Sequence, residues 1–146
     1  MVETGVDKGL GACLLTAALR RNATENHEGR YFGTDKDPAA GYLLSGEYAN
    51  YGRILYGDSI ESLRKLDGEI DLFINDSDHS SKYEADEYRT IAEKLSKDSI
   101  ILGDNSHATD ALLKFSLETN RHFVFFQEKP KDHWYPGAGI GISFKR

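Results

Sequence analysis

Apolar runs of strand length alternate with longer segments of helical spacing along most of the chain, and this alternation leaves few folds open. Strand-like runs cover residues 2–6, 30–34, 53–56, 70–74 and 99–102. The segment 9–21 carries Leu10, Ala12, Cys13, Leu14, Leu15, Ala17, Ala18 and Leu19, apolar nearly all round, which is the pattern of a buried helix. Asp37 followed by Pro38 reads as a cap with proline at the first helical position, so a helix is expected after strand two. The run from Asp58 to Glu61 resembles a capping box, with Ile60, Leu63 and Leu66 on one face of the helix it opens. The run from Ser81 to Glu84 resembles another, ahead of a helix with Tyr83, Tyr88, Ile91, Ala92 and Leu95 turned inward. Residues 106–119 complete the series with Ala108, Leu112 and Phe115 on one side.

The pattern then changes. Residues 122–127 and 139–144 are both strand-like, but the stretch 128–138 between them holds Pro130, Pro136 and Gly137 and reads as a loop. Two strands joined without a crossover helix pair antiparallel. Five strand–helix units followed by a hairpin predict an α/β fold with a parallel sheet covered on both faces. No internal repeat interrupts the series, and a single domain over residues 1–146 is expected, with the polar stretch 21–29 as a surface loop.

Charge narrows the function classes. A net charge of −6 without a basic stripe argues against a nucleic-acid partner, since phosphate neutralisation needs clustered Lys and Arg. The single cysteine, Cys13, excludes an internal disulfide framework and fits a reducing compartment; its apolar neighbours suggest a buried, inert thiol. With no long apolar stretch and no signal-peptide pattern, a cytoplasmic protein is expected, with no membrane partner.

The residues that could carry chemistry cluster at strand ends. Strand one runs into Gly5, and Gly9 and Gly11 lead into the first helix. Glycines at such a bend let a ligand approach the backbone, or simply make a tight turn. Their spacing is G-x-x-x-G-x-G, which departs from the dinucleotide fingerprint, and Glu3 suits a positively charged ligand better than a pyrophosphate. Asp35 ends strand two about twenty residues beyond the glycines, where an acid can grip both ribose hydroxyls; it can also serve as a turn residue. Gly57, Asp58 and Ser59 after strand three could reach an adenine edge or cap the next helix.

Strand four runs into Asn75, Asp76, Ser77, Asp78 and His79, and strand five into Gly103, Asp104, Asn105, Ser106 and His107. On neighbouring strands, Asp76 and Asp104 would converge, and packed carboxylates need compensation. A hard divalent cation on Asp76, Asp104 and Asn105 would supply it, and oxygen ligands point to Mg²⁺, Mn²⁺ or Ca²⁺. The two Asp-x-x-His spacings keep a histidine-containing site for Zn²⁺ or Fe²⁺ open. Alternatively Asp78, Ser80 or Ser106 caps a helix and the histidines lie on the surface. The hairpin loop holds Lys129, Lys131, His133, Trp134 and Tyr135, either as a wall for a planar or sugar substrate or as a flap of satellite core.

With these residues assembled, the chain resembles the class I S-adenosylmethionine (SAM)-dependent methyltransferases. The resemblance implies a Rossmann-like doubly wound sheet of seven strands, order 3-2-1-4-5-7-6 with strand seven antiparallel. It also implies cofactor contacts from Glu3, Gly5, Val6, Asp7, Asp35, Lys36, Asp58, Ser59 and Asp76. Asp76 to His79 and Gly103 to Asn105 further resemble the cation-dependent O-methyltransferases of the caffeoyl-CoA, catechol and macrolide-sugar types. That implies a cation on Asp76, Asp104 and Asn105, Mg²⁺ first, and a catalytic base at Asp78 or His79. Family members usually carry lid helices before strand one; here strand one starts at residue 2, so a domain lacking them is expected.

The expected function is methyl transfer from SAM to a small-molecule hydroxyl, with a homodimer as a possible assembly. A non-catalytic SAM-binding or interaction domain would share all but the substrate pocket. A nicotinamide oxidoreductase would share the glycine turn and Asp35 but leaves the two acidic strand ends without a role.

Overall fold

A computed structural model of the chain describes residues 1–135 and 137–145; Pro136, one of the prolines read into the hairpin loop, lies outside the described residues. The elements in chain order are β1 (Val2–Thr4), α1 (Leu10–Ala23), β2 (Tyr31–Asp35), β3 (Gly52–Tyr56), α2 (Ser59–Lys65), β4 (Ile70–Asn75), α3 (Ser81–Ile91), β5 (Leu95–Gly103), α4 (Ala111–Glu118), β6 (His122–Gln127) and β7 (Gly139–Phe144). The strands form a seven-stranded sheet in the order β3-β2-β1-β4-β5-β7-β6. β1, β2 and β3 run parallel, as do β4 and β5, whereas β7 is antiparallel to both β5 and β6. The sheet therefore has the expected order and the expected reversed strand. No helix among the described residues is long and apolar enough to cross a membrane. The chain divides into two compact units, Met1–Leu66 and Asp67–Arg146.

In the first unit, α1 buries Ala12, Thr16 and Leu19; Ala12 and Leu19 pack with Val6 and Tyr31, and Leu15, Leu44, Tyr51 and Ile54 close around them. Burying a side chain such as Leu19 contributes about 1.5–3 kcal/mol. The all-round burial expected of α1 is not what forms: Leu10 and Leu14 are each 67% exposed. An apolar surface on every side hides which face the sheet takes, and here it takes only one. Cys13 is half-buried, its thiol donating to the Leu43 carbonyl at 3.3 Å.

The helix expected after β2 is also absent. Asp37 does cap, but it caps a turn: its carboxylate accepts the Ala39 amide at 2.8 Å and its carbonyl accepts the Ala40 amide. The chain then reverses at Gly41 (φ 72°). The Gly41 amide bonds the Asp7 carbonyl at 2.7 Å and the Leu43 amide bonds that of Lys8 at 3.1 Å. Donors that a helix would have used internally lace this segment to the glycine turn, and only a short 3-10 turn, Gly46–Asn50, follows.

In the second unit, Tyr88 packs edge-on against Phe73 (centroids 6.2 Å apart) and tilted against Phe115 (5.6 Å). α3 presents Glu84, Glu87, Tyr88 and Ile91 inward, the i, i+3, i+4, i+7 stripe. The capping box expected at its start does not form. Ser80 takes the cap position without a side-chain bond, and Glu84 lies in the interior. Helix α4 begins at Ala111 rather than near residue 106, because Asn105 adopts a left-handed φ of 50° and the Ser106 amide bonds the Gly139 carbonyl at 2.9 Å. β5 begins at Leu95, ahead of the expected residue 99. The buried Arg121 joins β5 to β7: its guanidinium donates to Ser99 Oγ (3.1 Å) and O (2.6 Å) and to Ser143 Oγ (3.0 Å) and O (3.2 Å).

Candidate active site

The turn after β1 is held in an unusual backbone shape, with positive φ at Gly5 (80°), Asp7 (46°) and Gly9 (95°). At Gly9 an added Cβ would stand 3.0 Å from the Gly41 Cα, so both conformation and space require glycine. Asp35 organises the turn. Its Oδ2 accepts the amides of Val6 and Asp7, both at 3.0 Å, and its Oδ1 accepts the amide of Asp37 at 2.9 Å. A carboxylate has roughly four acceptor sites, so about one remains for a ligand hydroxyl. The turn role read from the sequence is the one these bonds show. Lys36, beside it, is exposed.

Glu3 lies deeper, only 7% exposed. Tyr31 donates its hydroxyl to Oε2, while Oε1 sits where a Cβ on Gly11 would come within 2.3 Å. Burial raises the Glu3 pKa above its ordinary 4.5, and the Tyr31 hydrogen bond opposes that only in part. Burial, helped by the Glu3 charge, also pushes the Tyr31 phenol upward. An acid whose folded pKa exceeds its unfolded value is neutral in both states at low pH and loses stability as pH rises through the interval between the two values. Glu3→Gln is therefore expected to melt higher than the parent at neutral pH, with the gain shrinking as pH falls towards 4.5. Thermal melts across that range decide it, and a gain that does not vary with pH would refute the assignment.

Asp58 accepts the Glu61 amide at 3.0 Å and caps α2, which is the N-cap half of the capping box read at this position. Ser59 is buried in the first turn of the same helix. A cavity of about 350 Å³ lies elsewhere, at the amino ends of β2 and β3, lined by Arg30, Tyr31, Phe32, Gly52 and Arg53.

In the second unit the acidic ends of β4 and β5 come together. The Asp104 amide bonds the Asn75 carbonyl at 2.9 Å, which aligns the two loops. Asp76, His79 and Asp104 each offer one ligand atom, all within 4.8 Å of one another. His79 Nε2 lies 3.8 Å from Asp76 Oδ1 and 3.1 Å from the Asn105 amide nitrogen, which also donates to Asp104 Oδ2 at 2.7 Å. Two carboxylates and an imidazole form a donor set that suits a divalent cation, whereas Asn105, expected from the sequence as a ligand, turns its amide nitrogen to the cluster and offers no lone pair there. Asp78 turns instead to the Ser80 amide at 2.8 Å, closing the bend before α3, and His107 is exposed. Trp134 is 88% exposed, with Tyr135 edge-on beside it (centroids 6.0 Å apart), so it does not form the satellite core considered from the sequence.

Two supports of this site escaped the sequence reading. Glu87, fully buried, accepts from the Asn75 side-chain amide and from Ser77 Oγ (2.9 Å), bracing the loop from below. Glu84, one helical turn earlier, accepts from Thr109 Oγ1 and lies 3.5 Å from His79 Nδ1. The signal was present, since residues 84 and 87 share the helical face of Tyr88 and Ile91.

A family described as "Methyltransferase domain" matches residues 2–106. The chain belongs to this methyltransferase family, and its sheet is that of the class I SAM-dependent enzymes. No curated protein sequence matches it at a significant level. Among solved structures it is similar to a Klebsiella pneumoniae protein assigned as an O-methyltransferase (TM-score 0.75, 15% identity, covering 99% of this chain and 72% of that one). An O-methyltransferase from Bacillus cereus in complex with S-adenosylhomocysteine (SAH) gives a TM-score of 0.73 at 16% identity, over 99% and 73% of the two chains. An rRNA methylase from Streptococcus thermophilus gives 0.70 at 11% identity, over 99% and 84%. At these identities the likeness is one of fold.

Proposed function

We propose that the chain transfers the methyl group of SAM to a hydroxyl oxygen of a small molecule, with a divalent cation, Mg²⁺ first, at the ends of β4 and β5. The observation that carries the oxygen-acceptor reading is the convergence of Asp76, His79 and Asp104 within 4.8 Å. A net charge of −6 favours a small acceptor over RNA, although one protein of similar fold is an rRNA methylase. The lone Cys13 fits a cytoplasmic setting.

SAM supplies a methyl group on a sulfonium, and that positive charge matches the buried Glu3. Gly5, Val6 and Asp7 present backbone to the methionine end, Asp35 offers its remaining acceptor site to the ribose, and Lys36, Asp58 and Ser59 flank the nucleoside. Asp76 and Asp104 would hold the cation, with Asn105 joining them only if its amide turned its oxygen inward, and the cation would lower the pKa of a bound hydroxyl. His79 accepts the hydroxyl proton at Nε2. It is preferred over Asp78, whose carboxylate is bonded to the Ser80 amide. The new C–O bond forms as the C–S bond breaks, leaving the neutral thioether SAH.

Calorimetry with SAM, SAH and NADH, each with and without Mg²⁺, tests this directly. Binding of SAM and SAH but not NADH is expected, and the reverse would sink the reading. Gly11→Val, which drives a side chain into Glu3, is expected to weaken SAM binding at least tenfold, about 1.4 kcal/mol. Unchanged affinity in that variant would remove Glu3 from the site.

A further inference from the structure

We propose that Glu84 is a positioning residue that fixes the tautomer of His79, placing the ring proton on Nδ1 and leaving Nε2 unprotonated, an acceptor for Asn105 beside Asp76 and Asp104. The role this gives His79, accepting the substrate proton, rests on the function proposed above; the tautomer itself does not.

The donors run along one chain of contacts. The Ala111 amide donates to Thr109 Oγ1 at 3.2 Å, so the Thr109 hydroxyl proton points onward, to Glu84 Oε2. That bond orients the Glu84 carboxylate, which is 2% exposed, and leaves Oε1 facing His79 Nδ1 at 3.5 Å. Both of these atoms are buried and neither has another hydrogen-bond partner among the described residues. A proton on Nδ1 satisfies the two together after a shift of a few tenths of an ångström. With the proton on Nε2 instead, two lone pairs would oppose each other in the interior.

The far side of the ring gives the same answer independently. Asn105 donates its amide to Asp104 Oδ2 at 2.7 Å, and this fixes which end of the amide is nitrogen, since an oxygen there would face a carboxylate. The same nitrogen lies 3.1 Å from His79 Nε2 and needs an acceptor there. A neutral ring with Nδ1–H and a bare Nε2 fits both neighbours. The opposite tautomer conflicts with both. The arrangement has the logic by which a carboxylate behind a histidine sets which nitrogen does chemistry.

The test is nitrogen-15 NMR of the histidine side chains in the full chain without added metal. In the parent protein, His79 is expected to carry its proton on Nδ1. Glu84→Gln, whose single amide oxygen is taken by the Thr109 hydroxyl so that its NH2 faces Nδ1, and Glu84→Leu, which removes the acceptor, are both expected to lower the Nδ1–H fraction, which Asn105 alone then supports. Should Glu84→Leu fail to fold, Thr109→Val, which removes only the hydroxyl that orients Glu84, is expected to lower the Nδ1–H fraction. A proton on Nε2 in the parent, or an unchanged tautomer in both Glu84→Leu and Thr109→Val, overturns the proposal. Mn²⁺ titration in the same spectra keeps the two readings separate. Failure of Mn²⁺ to broaden the His79 ring signals, which lie beside Asp76 and Asp104, would count against the cation site while leaving the tautomer result standing. Broadening together with an Nε2 proton would do the opposite.

Discussion

Asp104→Ala is expected to abolish stabilisation of the protein by Mg²⁺ while leaving the metal-free fold intact. A cation at a hundred times its dissociation constant stabilises the native state by about 2.7 kcal/mol, which for a chain of this size raises the melting temperature by roughly 5–10 °C. Removing Asp104 takes away one of the two carboxylates in the cluster and the acceptor that orients Asn105. Loss of cation affinity by about 100-fold or more follows, since even partners behind the ligands cost 10- to 100-fold. Without metal, the variant should melt at or slightly above the parent, because Asp104 is only half-buried and its removal relieves repulsion with Asp76. Differential scanning fluorimetry across a Mg²⁺ series reads both effects. A parent protein that gains nothing from Mg²⁺, Mn²⁺ or Ca²⁺ would remove the cation from the mechanism.

Arg121→Ala is expected to be the most destabilising single change outside the site. Arg121 directs four bonds onto Ser99 and Ser143, whose side chains are fully buried. Truncation leaves those acceptors without their donor and opens a cavity beside β5 and β7. Unsatisfied buried groups cost about 1–3 kcal/mol each, so a loss of about 3 kcal/mol is a conservative total. The corresponding fall in melting temperature is roughly 6–12 °C. Urea denaturation gives the free energy directly, and a loss below about 0.5 kcal/mol, the range of an ordinary surface change, would show that the network is not structural.

The sheet was legible because strand and helix periodicities differ so sharply, and because a hairpin lacking a crossover helix forces one reversed strand. The acidic strand ends were legible for a related reason: in such sheets the carboxyl ends of strands carry the chemistry. What escaped was information that is not local. Asp37 and Pro38 carry a good helix-start signal, yet hydrogen bonds from Gly41 and Leu43 to residues 7 and 8 take the chain elsewhere. Glu84 matched a capping box by spacing, and only the packing of Thr109 and His79 around it reveals a buried carboxylate. Arg121 follows a helix like many surface arginines, and nothing in its neighbours announces that it will be buried between two strands. For the candidate site, the sequence brought Asp76, Asp104 and Asn105 into view, while the carboxylates that brace them from α3 needed the three-dimensional contacts.

Asp35 bears on how fast a ligand can be captured. Three backbone amides already rest on its carboxylate, so the turn after β1 and the turn after β2 are ordered when the chain folds, before any ligand arrives. The entropy of arranging those turns is spent during folding, and association need not wait for a rearrangement. A ligand meeting such a site should bind with a single kinetic phase whose rate rises linearly with concentration. Its heat-capacity change should reflect only the surface it covers, with no added contribution from loop ordering.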